Sequence, residues 1–271
     1  MAKTWFITGA SRGFGREFTL AALGRGDAVA ATARDVAALR DLVERFGGSI
    51  EPIALDVTDR DAVHAAVARA IERFGPLDVV VNNAGFGVFG AVEEISEFDM
   101  RALMETNFFG ALWVTQAVLP SMREAGHGHI VQISSIGGVV ASTGLGAYNA
   151  SKHALEGISD ALAQEVAPFG VKVTLVEPGA FGTDWSGESA LHSASLDAYV
   201  PLRESLMARR DNAAYGSAAA AAQSLLRIVD SPDPPRRVLF GAVAYDLAIS
   251  AYQERLATWA EWERTSREAD G

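Results

Sequence analysis

Short apolar runs alternate with amphipathic stretches along most of this chain. The runs are Trp5-Phe6-Ile7, Ala28 to Ala31, Ile50 to Leu55, Leu77 to Val81, His129 to Ile133 and Val171 to Val176, with Val238-Leu239-Phe240 following later. Their almost unbroken apolar character predicts strands covered on both faces. Between them lie helix-length stretches, such as Arg16 to Leu23 ending near Gly24 and Gly26, and Asp59 to Phe74 ending at Gly75-Pro76. The alternation predicts an α/β fold built as one doubly wound parallel sheet between two helix layers, a single domain over 1–271. Such a sheet binds ligands beyond the carboxyl ends of its strands, so the residues just after each apolar run carry most weight.

Three later segments need separate reading. Ala218 to Ala222 reads as helix, and Ser231 to Pro235 as a surface loop rather than a linker. Residues 179–211 mix Gly, Ser, Trp and Leu without a clear strand, which predicts a substrate-covering lid. A C-terminal helix is expected over about 244–266. In it Tyr245, Ile249, Tyr252, Leu256 and Trp259 recur in four- and three-residue steps, an apolar stripe expected to pack on its own domain, with a partner subunit or a pocket wall as the alternatives.

Composition narrows the function classes. With 49% hydrophobic and 21% charged residues the chain is globular in composition, which excludes disordered and fibrous classes. The net charge of −11 argues against nucleic acid and anionic membranes as partners. Zero cysteines exclude disulfides, thiolate nucleophiles and Cys-based metal centres. His64, His127, His129, His153 and His192 have no partners at a metal-binding spacing, so no metal is expected. The chain enters a strand pattern within its first residues, and no apolar run reaches membrane-spanning length, so a cytoplasmic location is expected.

The strand ends carry the chemistry. After the first strand come Thr8-Gly9-Ala10-Ser11-Arg12-Gly13-Phe14-Gly15, whose glycines allow a tight turn and close approach to a pyrophosphate at a helix N-terminus. The spacing G-x-x-x-G-x-G differs from the G-x-G-x-x-G dinucleotide fingerprint. Arg12 lies inside this loop, and Arg34 follows the second strand where an adenosine ribose would lie. A cation there selects a 2′-phosphate, so NADP(H) is favoured over NAD(H), although Asp35 directly follows Arg34. Tyr148 and Lys152 stand four residues apart on one helix face. Bringing a phenol from about 10 to about 7 takes roughly 4 kcal/mol, which an ammonium about 4 Å away supplies at an effective dielectric of about 20. Gly157-Ile158-Ser159-Asp160 fails the hydrolase elbow pattern G-x-S-x-G, which argues against hydrolysis.

Together with Asp56-Val57 after the third strand and Asn82-Asn83-Ala84-Gly85 after the fourth, these motifs resemble the short-chain dehydrogenase/reductase family in its common form, over Thr4 to about Thr183. That resemblance implies a Rossmann-like NADP-binding domain. It implies that Gly9, Ser11, Arg12, Gly13, Phe14, Gly15 and Arg34 hold the nucleotide, that Asp56 and Val57 border the adenine, and that Asn83, Ala84 and Gly85 line the groove. Pro178, Gly179 and Thr183 match the segment around the nicotinamide amide and pyrophosphate. Ser135 matches the serine that holds the substrate oxygen, with Ser134 as its neighbouring decoy, and Asn107 matches the asparagine that holds a water beside the lysine. Lys152 would also bind the nicotinamide ribose.

The implied activity is hydride transfer between nicotinamide and a carbonyl or secondary alcohol, with Tyr148 as the acid or base. A catalytically silent NADP-sensing or scaffold protein on the same fold, and an epimerase or dehydratase using the same tyrosine, are the alternatives. Phe86, Val88, Phe89, Val139, Val140, Phe181, Trp185 and Leu191 are expected either to form an apolar substrate pocket or to pack the lid on the core. A homodimer or homotetramer through the helices bearing Asn107 and Lys152 is also implied.

Overall fold

The protein is described by a computed structural model covering residues 2–183, 190–211 and 215–270, with backbone alone at 209–211. Nine strands occur among these residues: β1 (Thr4–Ile7), β2 (Ala28–Ala33), β3 (Ile50–Ala54), β4 (Val79–Asn82), β5 (Val88–Phe89), β6 (Gly128–Ile133), β7 (Val171–Pro178), β8 (Leu191–His192) and β9 (Arg237–Phe240). Seven form one parallel sheet in the order β3-β2-β1-β4-β6-β7-β9, while β5 and β8 pair separately. Every apolar run of the sequence is a strand of that sheet, so the predicted doubly wound architecture is the observed one. The order reverses between β1 and β4, which opens a crevice beyond their carboxyl ends.

Helices α1 (Gly13–Gly24), α2 (Arg40–Phe46) and α8 (Ala218–Asp230) cover one face; α3 (Arg60–Phe74), α5 (Gly110–Ala125) and α6 (Gly146–Val166) cover the other. Side-chain alternation along β1 divides the core between them. Trp5 and Ile7 join Phe18 and Leu225 on the first face, and Phe6 joins Val67, Val114 and Leu162 on the second. Each such buried apolar side chain contributes about 1.5–3 kcal/mol. Helix ends follow local chemistry: Asp59 accepts from the Ala62 amide at the start of α3, and Gly75 closes it at φ 83°.

Two sequence expectations change. The lid is not featureless: β8 pairs with β5, and α7 (Val200–Asp211) follows a short turn. Glu94 accepts from the Leu196 amide at 2.8 Å and pairs with Arg203, so a carboxylate in the 92–94 turn ties the 196–203 segment to the domain. Asn107 lies in one long helical run that starts after Ser96, in which α4 (Glu97–Met104) passes through a π turn over Glu105–Phe109 into α5. The C-terminal apolar stripe does not pack on its own domain. In α9 (Ala242–Glu261) and α10 (Glu263–Glu268) its residues are exposed, and only Ala244 and Ala248 are buried. No described helix is long and apolar enough to cross a membrane.

Candidate active site

Thr8 organises the crevice, a role its place beside Gly9 signals but spacing rules alone do not assign. Fully buried at the end of β1, its hydroxyl donates to the Val81 carbonyl and accepts from the amides of Asn83 and Ala84 at 2.9 and 3.0 Å. Asn83 returns the contact, donating through Nδ2 to the carbonyls of Thr8 and Gly9 at 2.9 and 3.1 Å. These five bonds lock the glycine loop to the turn after β4. Gly9 adopts φ +66° and Gly13 φ +55°, backbone settings that favour glycine. At Gly15 an added Cβ would lie 2.3 Å from the Gly9 carbonyl oxygen, so only glycine lets α1 start this close to β1.

Arg12 is the N-cap of α1, where no side chain caps the helix and no acidic residue occupies the first turn. The helix therefore presents its positive end to the crevice. Phe14 stacks on Phe18 and meets the edge of Phe181, placing its ring in the core beneath the loop, while Ser11 is half-buried above it. Thr183 lies opposite Gly13, whose added Cβ would stand 3.5 Å from the threonine Cβ. Gly179 donates to the Phe240 carbonyl at 3.0 Å, which holds the Pro178-Gly179 segment to β9.

Further along the crevice, Arg34 is exposed just past β2 and has no hydrogen-bond or ion-pair partner among the described residues. Asp35 is committed elsewhere, accepting from the Ala37 amide at 2.9 Å, so the two side chains do not neutralise each other. Asp56 is exposed and accepts from the amide and hydroxyl of Thr58, while Val57 is buried against Gly110.

The four candidate catalytic side chains converge at the carboxyl ends of β4 and β6. Lys152 is buried, donates to the Ile133 carbonyl at 2.8 Å, and holds its ammonium 5.7 Å from the Tyr148 ring centre. Asn107 is buried in the π turn, an irregularity common at functional sites. It grips Phe86 from both sides, accepting from its amide at 3.0 Å and donating to its carbonyl at 2.9 Å, and also donates to Ser151. Gly85 sits between: an added Cβ would be 3.0 Å from Asn107 Oδ1 and 3.7 Å from Lys152 Nζ. The consecutive serines diverge. Ser135 accepts from the Gly137 amide at 3.0 Å and lies beside Tyr148, whereas Ser134 faces Glu156.

Electrostatics depart from the sequence-based picture. Burial pushes the Tyr148 phenol up to about 12, with the Ser135 hydrogen bond pulling the other way, and Lys152 does not bring it near 7. Burial also brings Lys152 down to about 8, opposed by the carboxylate of Glu156 one turn on. Loss of hydration outweighs the mutual field because both groups sit where water is excluded. Glu156 itself is raised by burial, as is Glu177, which reaches about 7; Arg237 pairs with both and with Asp160. Sequence reading missed this cluster because its members lie far apart in the chain.

The apolar candidates divide. Phe86 packs on the cluster of Val88, Leu103, Ala147 and Tyr148, while Val139 is buried and Val140 half-buried in the turn after Ser135. Phe181 instead packs against Phe14, Gly216 and Gly241, on the core of the α1 face rather than at the reacting groups. Phe89 stacks on His192, Leu191 is exposed, and Trp185 lies outside the described residues. A cavity of about 630 Å³ between the 91–93 turn, the 141–146 loop and the 199–202 segment has neither Tyr148 nor Ser135 in its wall.

The sequence profile described as short chain dehydrogenase matches residues 3–193. An oxidoreductase of Botryotinia fuckeliana, BOA17, is 41% identical, with 98% of each chain covered. A short-chain dehydrogenase from Streptomyces avermitilis, solved by crystallography, is 41% identical and superposes with a TM-score of 0.94 over 99% of this chain and 98% of its own. A short chain dehydrogenase from Burkholderia cenocepacia solved with NADP is 27% identical, with a TM-score of 0.78 over 96% and 97% of the two chains. The glycine loop, the turn after β4 and the tyrosine-lysine pair thus sit in a matching fold of matching length, and the chain belongs to the short-chain dehydrogenase/reductase family of NAD(P)-dependent oxidoreductases.

Proposed function

We propose that this enzyme uses NADP(H) to interconvert a carbonyl and a secondary alcohol on a hydrophobic substrate. The observation that carries the cofactor choice is Arg34, an exposed cation past β2 with Asp35 turned away to cap its own turn. Support for a dinucleotide in the crevice comes from its own residues. The positive end of α1, with no side chain capping it and no acidic residue in its first turn, and the glycine backbone of Gly9, Gly13 and Gly15, with Gly9 and Gly15 packed against the turn after β4, suit a phosphate chain at that point. Gly9 to Gly15 would hold the pyrophosphate, Arg34 the 2′-phosphate, Asp56 and Val57 the adenine, and Asn83 to Gly85, Pro178, Gly179 and Thr183 the remainder. When bound, the nicotinamide supplies or accepts the hydride.

The residues of the chain handle the proton and the geometry. Ser135, fixed by the Gly137 amide, donates a hydrogen bond to the substrate oxygen. Tyr148 gives that oxygen its proton in reduction and takes it back in oxidation. Lys152 stabilises the resulting phenolate through its charge and contacts the nicotinamide ribose. Asn107 fixes the backbone at Phe86 and holds a water beside Lys152 through which the tyrosine is reprotonated. Phe86, packed on the tyrosine's cluster, favours apolar groups on the substrate. The test is a panel of aliphatic and aromatic ketones and alcohols followed at the nicotinamide absorbance band with NADPH and NADH in parallel. Turnover with apolar ketones and a preference for NADPH is expected; a preference for NADH, or turnover confined to charged substrates, would overturn the reading.

A further inference from the structure

Helix α9 leaves its domain almost as soon as it begins. Ala244 and Ala248 are its buried residues, the first pressed against Gly179. From Ile249 to the end of α10 no described residue is buried. A helix without tertiary packing is marginal in water, so this one calls for a partner. Its apolar stripe of Tyr245, Ile249, Tyr252, Leu256 and Trp259 is 43 to 61% exposed, and Trp262 flanks it at 58%. Roughly 100 Å² of exposed apolar surface on each of these side chains gives roughly 600 Å² per chain. Two such faces bury about 1,200 Å², the lower bound of a specific interface, whereas scattered apolar residues on a monomer need no partner.

The stripe also states what would cover it. Its steps of four, three, four and three residues average 3.5, the repeat of a coiled-coil seam. Turned end for end about Tyr252, the series returns to within one residue of itself: Tyr245 meets Trp259, Ile249 meets the Arg255–Leu256 step, and Tyr252 meets its own copy. Such self-complementarity is the requirement of a two-fold interface. A lipid surface is disfavoured by charge, because Asp246, Glu254, Glu261, Glu263, Glu268 and Asp270 outnumber Arg255, Arg264 and Arg267 along α9 and α10. We propose that α9 is a homodimerisation helix, pairing antiparallel with α9 of a second copy of this chain across the Tyr245–Trp259 stripe.

Light scattering during size exclusion, together with single-cysteine cross-linking, tests this independently of the catalytic reading. The wild type is expected at twice the chain mass or a higher multiple. Ile249→Glu/Leu256→Glu, at exposed positions that leave the core intact, should halve that mass, and Val243→Glu, exposed off the stripe, should not. Far-UV circular dichroism checks that the double variant stays folded. The chain has no cysteine, so Tyr252→Cys on the proposed axis should oxidise to a covalent dimer, while Val243→Cys should not. A wild type at single-chain mass overturns the proposal. So does an oligomer that the double variant leaves intact, as one held only through α5 and α6 would be. Failure of Tyr252→Cys to cross-link overturns the antiparallel pairing. Phosphatidylcholine-vesicle binding by a single-chain-mass wild type, lost in the double variant, would identify a lipid surface instead.

Discussion

Tyr148 and Lys152 share a buried face of α6, where loss of water raises the phenol to about 12 and lowers the ammonium to about 8. Below pH 8 both carry their protons, so a proton donor and a stabilising charge are present together. As pH rises through about 8 the lysine loses its charge and the phenolate left after proton delivery loses its support. Reduction should therefore slow above about pH 8, and Lys152→Arg, which stays charged, should remove that break from the pH–rate profile. Arg34 acts at the other end of the crevice. Replacing it by alanine is expected to weaken NADPH roughly ten-fold or more, the scale of one lost charged hydrogen bond, with NADH little changed in the same titration. Tyr148, Lys152 and Arg34 are all readable in the sequence because their spacing or strand-end position is local. The balance of burial against charge is not, since it depends on Ile133, Ser135 and Glu156 closing around the pair only in the fold.

At the scale of elements, the glycine loop and the turn after β4 form one unit through Thr8 and Asn83, and α4 reaches it through the π turn at Asn107. Apolar periodicity revealed the strands and their order of use. It could not reveal the π turn, because one extra residue in a helix leaves no polar mark, nor the short β8, whose two exposed residues carry no strand pattern. Asn107→Ala leaves the half-buried amide and carbonyl of Phe86 without their partner. An expected cost of about 1–3 kcal/mol follows, seen as a lower midpoint in urea unfolding, with kcat reduced alongside. An unchanged midpoint would show that Asn107 serves only the reaction.

Across the whole molecule, Arg237 on β9 joins Glu177 on β7 to Glu156 and Asp160 on α6, a cluster that fixes the sheet edge behind Lys152. The folded state raises Glu177 from 4.5 to about 7, so between those values it holds a proton that the unfolded chain has lost. Stability should therefore fall as pH rises through that window, and Glu177→Gln should flatten its share of the slope. Equilibrium unfolding at several pH values gives both slopes. The C-terminal stripe shows where sequence reading stops: its period revealed an apolar face, but no described element of the same domain covers that face.

The proposed chemistry turns on the Tyr148 hydroxyl, and a single comparison addresses it: turnover and NADPH affinity of Tyr148→Phe beside the wild type, with a ketone the wild type reduces. Removing one hydroxyl leaves the ring in its packing and the ammonium in place, so NADPH should bind within about two-fold while turnover falls by at least 10²–10⁴, the usual share of a general acid. Turnover within ten-fold of wild type, at equal NADPH occupancy, would contradict the assignment of the tyrosine as the proton donor.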